Sequence, residues 1–336
     1  MWSIEVRNVN DAYPRLCKLI MDKGVLSDSR NGEVRAAPGA TLVKFRQPWE
    51  RVLFDAERDA NPIFHLLEAV WMLAGRNDVE FVTRFNSNMA SFSDDGETFN
   101  AAYGHRWRHH FGFDQLETVV DMLRTNPNDR RAIITMWDPA DLQRTTKDVA
   151  CNLQILPRIV DGTLEFTTTN RSNDLIWGLC GANAVHLSFL QEWMAGALGL
   201  KVGHWNHLSN NLHIYERHWD LARHAKSFPH WMGWPGTQPL ISTTPIENAP
   251  PGQSPREILA WNAEVFRTEC MSIADGSKGA DDQFRSPFLN DTVEPMLASW
   301  AAWKAGDKAD AIEVASCIEA TDWRRAVVAW YKRRNK

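Results

Sequence analysis

The chain has 336 residues and a formal net charge of −5, with 44% hydrophobic and 24% charged residues. That balance fits a globular protein of one large domain or two small ones, and its acidity argues against a nucleic-acid binder. No apolar run approaches the ~20 residues that span a bilayer, and the start, "MWSIEVRNVNDAY", lacks a signal peptide's apolar centre, so a cytoplasmic location is expected.

Residues 11–24 read as a helix with Ala12, Leu16, Leu19 and Ile20 on one face. "SDSRNGEVRAAPGA" follows as a polar loop. "NPIFHLLEAVWMLAG" (61–75) is a strongly apolar helix: Asn61 suits the N-cap, Pro62 the first turn and Gly75 the stop. Residues 114–126 form an amphipathic helix, and "RRAIITMW" (130–137) reads as a buried strand. "NLQILPRIVDGTLEFTTTN" is a hairpin, because Asp161-Gly162 suits a type I′ turn. Pro157 marks an edge or a bulge. A helix over 183–198 ends at Gly199, and "GHWNHLSNNLHIYERHW" reads as strand, then helix. From residue 228 the chain is rich in Pro and Gly and reads as an irregular connection. Helical patterns follow at 255–275, 291–305 and 307–334. The expected division is a catalytic α+β body over 1–227, with a connection and a helical part over 228–336 packed on it.

The five cysteines, Cys17, Cys151, Cys180, Cys270 and Cys317, are scattered without metal-ligand or redox spacing. A disulfide framework and a cysteine-based metal site are therefore not expected. Sixteen tryptophans supply core or interface anchors. Cys151, in "TTKDVACN", is filler, ligand or nucleophile by itself. Its surroundings favour the last. The hairpin brings it beside Arg171 of "RSND", and a guanidinium there favours the reactive thiolate. Arg130, Arg131 and Arg171 in two short motifs suit a dianion such as phosphate. His213 and Tyr215, two apart in "HIY", share one face of an extended segment and suit a sugar hydroxyl. Glu68 lies inside an apolar helix, where burial would raise its pKa and let it shuttle protons, unless the helix turns it to solvent.

In this order the motifs resemble the thymidylate synthase family over about residues 15–220: Arg30 in "SRNG", Glu68 before "WMLAG", "YGHRWR" with Tyr103, "DRR", Cys151, "RSNDLIWG" and "HIY". The resemblance implies a three-layer α+β fold with a mixed β-sheet flanked by helices, here with a helical C-terminal extension. It implies a homodimer with shared active sites that transfers a one-carbon unit from methylenetetrahydrofolate to carbon 5 of dUMP or dCMP, without a metal. Cys151 would add to carbon 6, Tyr103 would stand near the base, and Glu68 would manage protons. Arg30, Arg171 and Ser172 would hold the phosphate, with Arg130 and Arg131 reaching in from the partner. His213 and Tyr215 would hold the 3′-hydroxyl and Asp174 would contact the folate.

Three departures bear on the product. The chain runs on past "HIY" to "WYKRRNK" without a match to the segment that closes over folate in the family. Met89 stands where a synthase has the tryptophan that shields its methylene intermediate. Asn152 replaces the histidine after the cysteine. An unshielded intermediate takes up water, and "RSND" before an aromatic and Gly is similar to phage deoxycytidylate hydroxymethylases. A 5-hydroxymethyl product is therefore expected, with C5 methylation as the alternative, in a setting of phage DNA modification. A non-catalytic nucleotide- or RNA-binding member is a third reading, against which Cys151, Glu68 and Tyr103 together count. For the base, Asn183 is preferred over Ala182 as reader, with Asn152 beside it. An Asn amide matches uracil one way round and cytosine the other, so both substrates stay open.

Overall fold

The computed structural model describes residues 1–226, 255–277 and 283–335. Its elements in chain order are β1 (Trp2–Val6), α1 (Val9–Lys23), β2 (Val25–Ser29), β3 (Gly32–Ala36), β4 (Thr41–Phe45), α2 (Pro62–Leu73), α3 (Val79–Thr83), α4 (Tyr103–Arg108), α5 (Gln115–Thr125), β5 (Ile134–Thr135), β6 (Asn152–Val160), β7 (Thr163–Asn170), β8 (Asn173–Asp174), α6 (Ala184–Leu198), β9 (Lys201–Ser209), β10 (Leu212–Tyr215) and α7 (Trp219–Arg223). Then come α8 (Pro255–Asp275), α9 (Glu294–Ala305), α10 (Lys308–Ser316) and α11 (Thr321–Arg334). Wide π-type turns lead into α6 (Leu175–Asn183) and α9 (Leu289–Val293).

Six strands form a mixed sheet in the order β1-β4-β9-β7-β6-β5, and β2-β3-β10-β8 form a second, smaller sheet. The β6–β7 hairpin turns at Asp161-Gly162 with positive φ at both residues, 47° and 73°, the backbone that a type I′ turn requires. Pro157 lies beyond the reach of β5, which pairs only with Gln154 and Ile155. It therefore sits on a free edge where its missing N–H costs nothing.

Helix α2 is the hub. Asn61 caps it by accepting from the Phe64 N–H, and all twelve of its residues are buried. A helix that is apolar all round must be surrounded, and α2 packs against α3, α4, α6, α8, α9 and α11. One apolar core runs from Val6 to Tyr331, so the C-terminal helices share it.

Three local expectations change. The stretch "SDSRNGEVRAAPGA", read as a polar loop, is largely the β2–β3 hairpin, in which Ser27 pairs with Val34. The segment read as one strand over 130–137 pairs only at Ile134–Thr135, because Asp129 accepts from the Arg131 N–H and holds the preceding residues in a turn. The pattern read as one helix over 307–334 is two, α10 and α11. Between them the backbone N–H groups of Glu319 and Ala320 leave the helix ladder for Asp291 O and Thr292 Oγ1. The Pro/Gly-rich connection after 228 falls outside the described residues.

Candidate active site

Register builds the centre of the site. Asn152 pairs with Asn170 across the hairpin, so the next residues outward, Cys151 and Arg171, are brought together at its open end. The Arg171 N–H donates to Cys151 O at 3.0 Å. Its guanidinium donates to Ala150 O at 2.8 Å and Val149 O at 3.3 Å, and Nη2 lies 3.7 Å from Cys151 Sγ. Burial pushes the Cys151 thiol up, Arg171 pulls it down, Asp148 pushes it up and Arg30 pulls it down. The net direction is upward. Arg171 favours the thiolate as expected, but desolvation of a half-buried sulfur outweighs it here.

Tyr103 sits under the nucleophile. Its hydroxyl accepts from the backbone N–H groups of both Cys151 and Asn152, at 3.1 and 3.2 Å. Burial pushes the phenol up, as does the neighbouring Cys151. Tyr103 is therefore a neutral donor whose proton stays free for a ligand. Glu68 is not turned to solvent. It is 9% exposed, with Oε2 3.0 Å from His186 Nε2 of α6. The two atoms are in contact, and neither has a hydrogen-bond partner. Residue spacing did not reveal His186. The signal available was a histidine inside the apolar helix "AVHLSFLQEW".

Asn183 and Asn152 meet: Asn152 Nδ2 lies 3.4 Å from Asn183 Oδ1, and Asn183 Nδ2 lies 3.2 Å from Asn173 Oδ1. Asn152 Oδ1 is buried without a hydrogen-bond partner. The glycine of "RSNDLIWG" is needed for this contact, since a Cβ on Gly178 would stand 2.4 Å from Asn173 Oδ1. His213 and Tyr215 share one face of β10 with rings 5.1 Å apart, and His213 Nδ1 bonds Asn211 Oδ1 at 3.0 Å. Burial lowers the His213 pKa while Asp174 raises it. Asp174 caps the wide turn by accepting from the Ile176 and Trp177 N–H groups. Burial pushes its carboxyl up. Beside it Trp177 stands half exposed, with Arg58 stacked on its ring at 4.0 Å.

The remaining arginines divide. Arg30, in the β2–β3 turn, reaches Thr146 O at 3.4 Å and Lys147 O at 3.3 Å, on the loop before Cys151. Ser172 is half-buried next to Arg171. Arg130 and Arg131 are exposed ahead of β5, and Arg131 pairs with Asp129 at 2.7 Å. Within one chain they are not part of the Cys151 cluster. Met89 lies in a short 3₁₀ segment, Ser87–Phe92, with no fully buried residue, and its side chain is half-buried against the core. That segment leads to Ser93 and Asp94, which bond Lys147 and Thr146 on the loop before Cys151. Among the described residues no cluster of three or more His, Cys, Asp or Glu could hold a metal ion, and no helix is long and apolar enough to cross a membrane.

With this geometry in view, comparison with known proteins is decisive. The family model described as thymidylate synthase matches residues 11–229. The chain belongs to the thymidylate synthase family. It is 42% identical to the deoxyuridylate hydroxymethyltransferase of Pseudomonas phage M6, over 98% of this chain and 94% of that protein. It is 38% identical to the deoxyuridylate hydroxymethyltransferase of Bacillus phage SP01, over 52% of this chain and 49% of that protein. The crystal structure of thymidylate synthase from T4 phage superposes with a TM-score of 0.55 at 23% identity, covering 65% of this chain and 81% of that one. The last shows the shared fold. Family membership makes the chain a one-carbon transferase, and the family takes its one-carbon unit from methylenetetrahydrofolate. The likeness to the phage M6 protein runs past residue 229, through α8 to α11.

Proposed function

We propose that this chain hydroxymethylates carbon 5 of dUMP, with methylenetetrahydrofolate as co-substrate and Cys151 as nucleophile. The observation that carries the reading is the Cys151 sulfur at the open end of the hairpin, 3.7 Å from Arg171 Nη2, in a chain whose near-full-length relative is a deoxyuridylate hydroxymethyltransferase.

Cys151 adds to carbon 6 of the ring, and the electron pair moves to carbon 5, making it a nucleophile. The nucleotide's phosphate rests on Arg171, Arg30 and Ser172, and its dianion matches guanidinium forks. His213 and Tyr215 bind the 3′-hydroxyl. Asn183 and Asn152 face the base, and Tyr103 holds the Cys151 backbone while offering its own proton. The folate supplies the one-carbon unit; the half-exposed Trp177 ring, stacked on Arg58 beside Asp174, is a flat wall that fits a pterin. Carbon 5 bonds the one-carbon unit and gives its proton to a water beside Tyr103. The bond from the unit to the folate nitrogen breaks, that nitrogen takes up a proton as tetrahydrofolate departs, and an exocyclic methylene remains on the nucleotide. Glu68, paired with His186, accepts the proton of a water that adds to this methylene. The bond to Cys151 then breaks. Atoms balance as dUMP, methylenetetrahydrofolate and water giving 5-hydroxymethyl-dUMP and tetrahydrofolate.

Water rather than hydride completes the reaction on this reading, because Met89, which packs half-buried against the core, stands where the family resemblance puts a shielding indole. The C-terminal part is tied to the folate wall: Arg333 and Arg334 of α11 both pair with Asp59, next to Arg58. The enzyme acts as a homodimer, in which Arg130 and Arg131 complete the partner's phosphate site. In support, the outer face of the large sheet, with Leu42, Leu208, Thr167 and Leu156, is half-buried without a covering helix among the described residues. A spectrophotometric assay with dUMP tests the product. No dihydrofolate should appear as nucleotide is consumed, and stoichiometric dihydrofolate would sink the reading in favour of methylation.

A further inference from the structure

Behind Asn183 runs a single file of buried polar groups. Trp205 Nε1 donates to Thr168 Oγ1 at 3.0 Å, and Thr168 Oγ1 lies 2.7 Å from His207 Nδ1. His207 Nε2 lies 2.8 Å from the Asn173 amide, which also meets Ser209 Oγ at 3.2 Å and continues to Asn183 and Asn152. Thr168, His207 and Ser209 are fully buried, and Asn173 is 3% exposed. Burial lowers the His207 pKa to about 3, so the ring is neutral, with one donor nitrogen and one acceptor.

A file of this kind has two directions. In one, each amide donates toward His207, His207 Nδ1–H donates to Thr168, and Thr168 accepts from both sides. The Thr168 proton then has no acceptor among the described residues. A buried hydroxyl left in that state keeps its full desolvation penalty. In the other, Trp205 donates to Thr168, Thr168 donates to His207 Nδ1, and His207 Nε2–H donates to Asn173. The oxygen and nitrogen of an amide have the same shape, so the hydrogen bonds decide its orientation. Asn173 then turns its NH₂ to Asn183, and Asn183 turns its NH₂ to Asn152. Trp205 can only donate, and in this direction the Thr168 proton has its acceptor while the Asn152 NH₂ is left for a ligand.

We propose that Thr168, His207 and Asn173 are positioning residues that aim the NH₂ groups of Asn183 and Asn152 at the base and so select uracil over cytosine. This rests on the reading of Asn183 as base reader. Carbon 6 lies at Cys151, and the sugar on N1 points to His213 and Tyr215, whose strand pairs with Asn173–Asp174. The carbon 5–carbon 4 edge therefore turns to Asn152, next in the chain after Cys151. Two donors at carbon 4 match the uracil oxygen and oppose the cytosine amino group. Reversing the file would present two acceptors and invert the choice. Groups left unpaired in a buried polar site are what makes such discrimination large.

The test is the ratio of kcat/KM for dUMP over dCMP, read by tritium release from carbon 5, in four proteins of confirmed fold. Thr168→Val removes the proton that sets the file and should lower the ratio at least tenfold. Thr168→Ser keeps the proton and should restore it. Asn173→Asp accepts from both His207 and Asn183, turns Asn183 round, and should shift preference toward dCMP. This variant decides if Thr168→Val does not fold. A wild-type ratio in Thr168→Val, or a stronger dUMP preference in Asn173→Asp, would overturn the proposal. If the wild-type protein turns over neither nucleotide, the proposed reaction fails. The same comparison made on dissociation constants still decides the file: loss of dUMP preference in Thr168→Val supports it, and an unchanged preference overturns it.

Discussion

Replacing Arg171 with alanine should make the Cys151 sulfur less reactive, and the geometry sets by how much. The substitution removes hydrogen bonds to Ala150 O and Val149 O and a positive charge 3.7 Å from the sulfur. Two unit charges at that distance attract by about 4.5 kcal/mol at an effective dielectric of ~20 and about 2 kcal/mol at ~40. Cys151 is half-buried, so the lower figure applies, which corresponds to about one to two pKa units. The thiol, already pushed up by burial, rises further, and less thiolate is present at any pH below its pKa. A more basic thiolate is also more nucleophilic, which offsets about half of the effect. Alkylation by iodoacetamide at neutral pH should then slow roughly 3- to 13-fold. The rate is read at the Cys151 peptide by mass spectrometry, because Cys317 is also exposed. Arg171→Lys should fall between the two, since it keeps the charge and loses the fork. An unchanged pH–rate midpoint in Arg171→Ala would refute the reasoning.

His186→Leu should lower kcat by roughly 10²-fold or more while leaving the dUMP dissociation constant nearly unchanged, if Glu68 needs its partner for proton transfer; stopped-assay kinetics and calorimetry separate the two quantities. Asp141→Asn should destabilise the fold by about 3–5 kcal/mol in urea, because it breaks a buried pair in which Arg106 donates to both Asp141 oxygens at 2.5 and 2.9 Å. Asp322, buried at the start of α11, has its pKa raised by burial to about 7. A carboxyl held above its unfolded value binds more protons when folded, so its contribution to stability is lost as pH rises from about 4 to about 7. Asp322→Asn should remove that loss, and urea titrations of both proteins across this range should converge at the acid end.

What could be read from the chain was local. Asp161-Gly162 fixed the hairpin, and the hairpin brought Cys151 to Arg171, because register is set by a tight turn. Asn61, Pro62 and Gly75 framed α2 for the same reason. The pairing of Glu68 with His186 could not be read, since each sits in an apolar helix and only the packing of α2 on α6 brings them together. The file from Trp205 to Asn183 depends on β7 running parallel to β9 and β8 parallel to β10, contacts that no local pattern encodes. The break between α10 and α11 was hidden because "CIEA" contains no Gly or Pro. Tertiary hydrogen bonds from the start of the α9 segment make it.

The most direct measurement is mass spectrometry of the nucleotide formed from dUMP and methylenetetrahydrofolate in oxygen-18-labelled water. The account predicts a product heavier by one formaldehyde unit, carrying one labelled oxygen, and absent when Cys151 is replaced by serine. A product heavier by one methylene unit, without label and with dihydrofolate beside it, would contradict it.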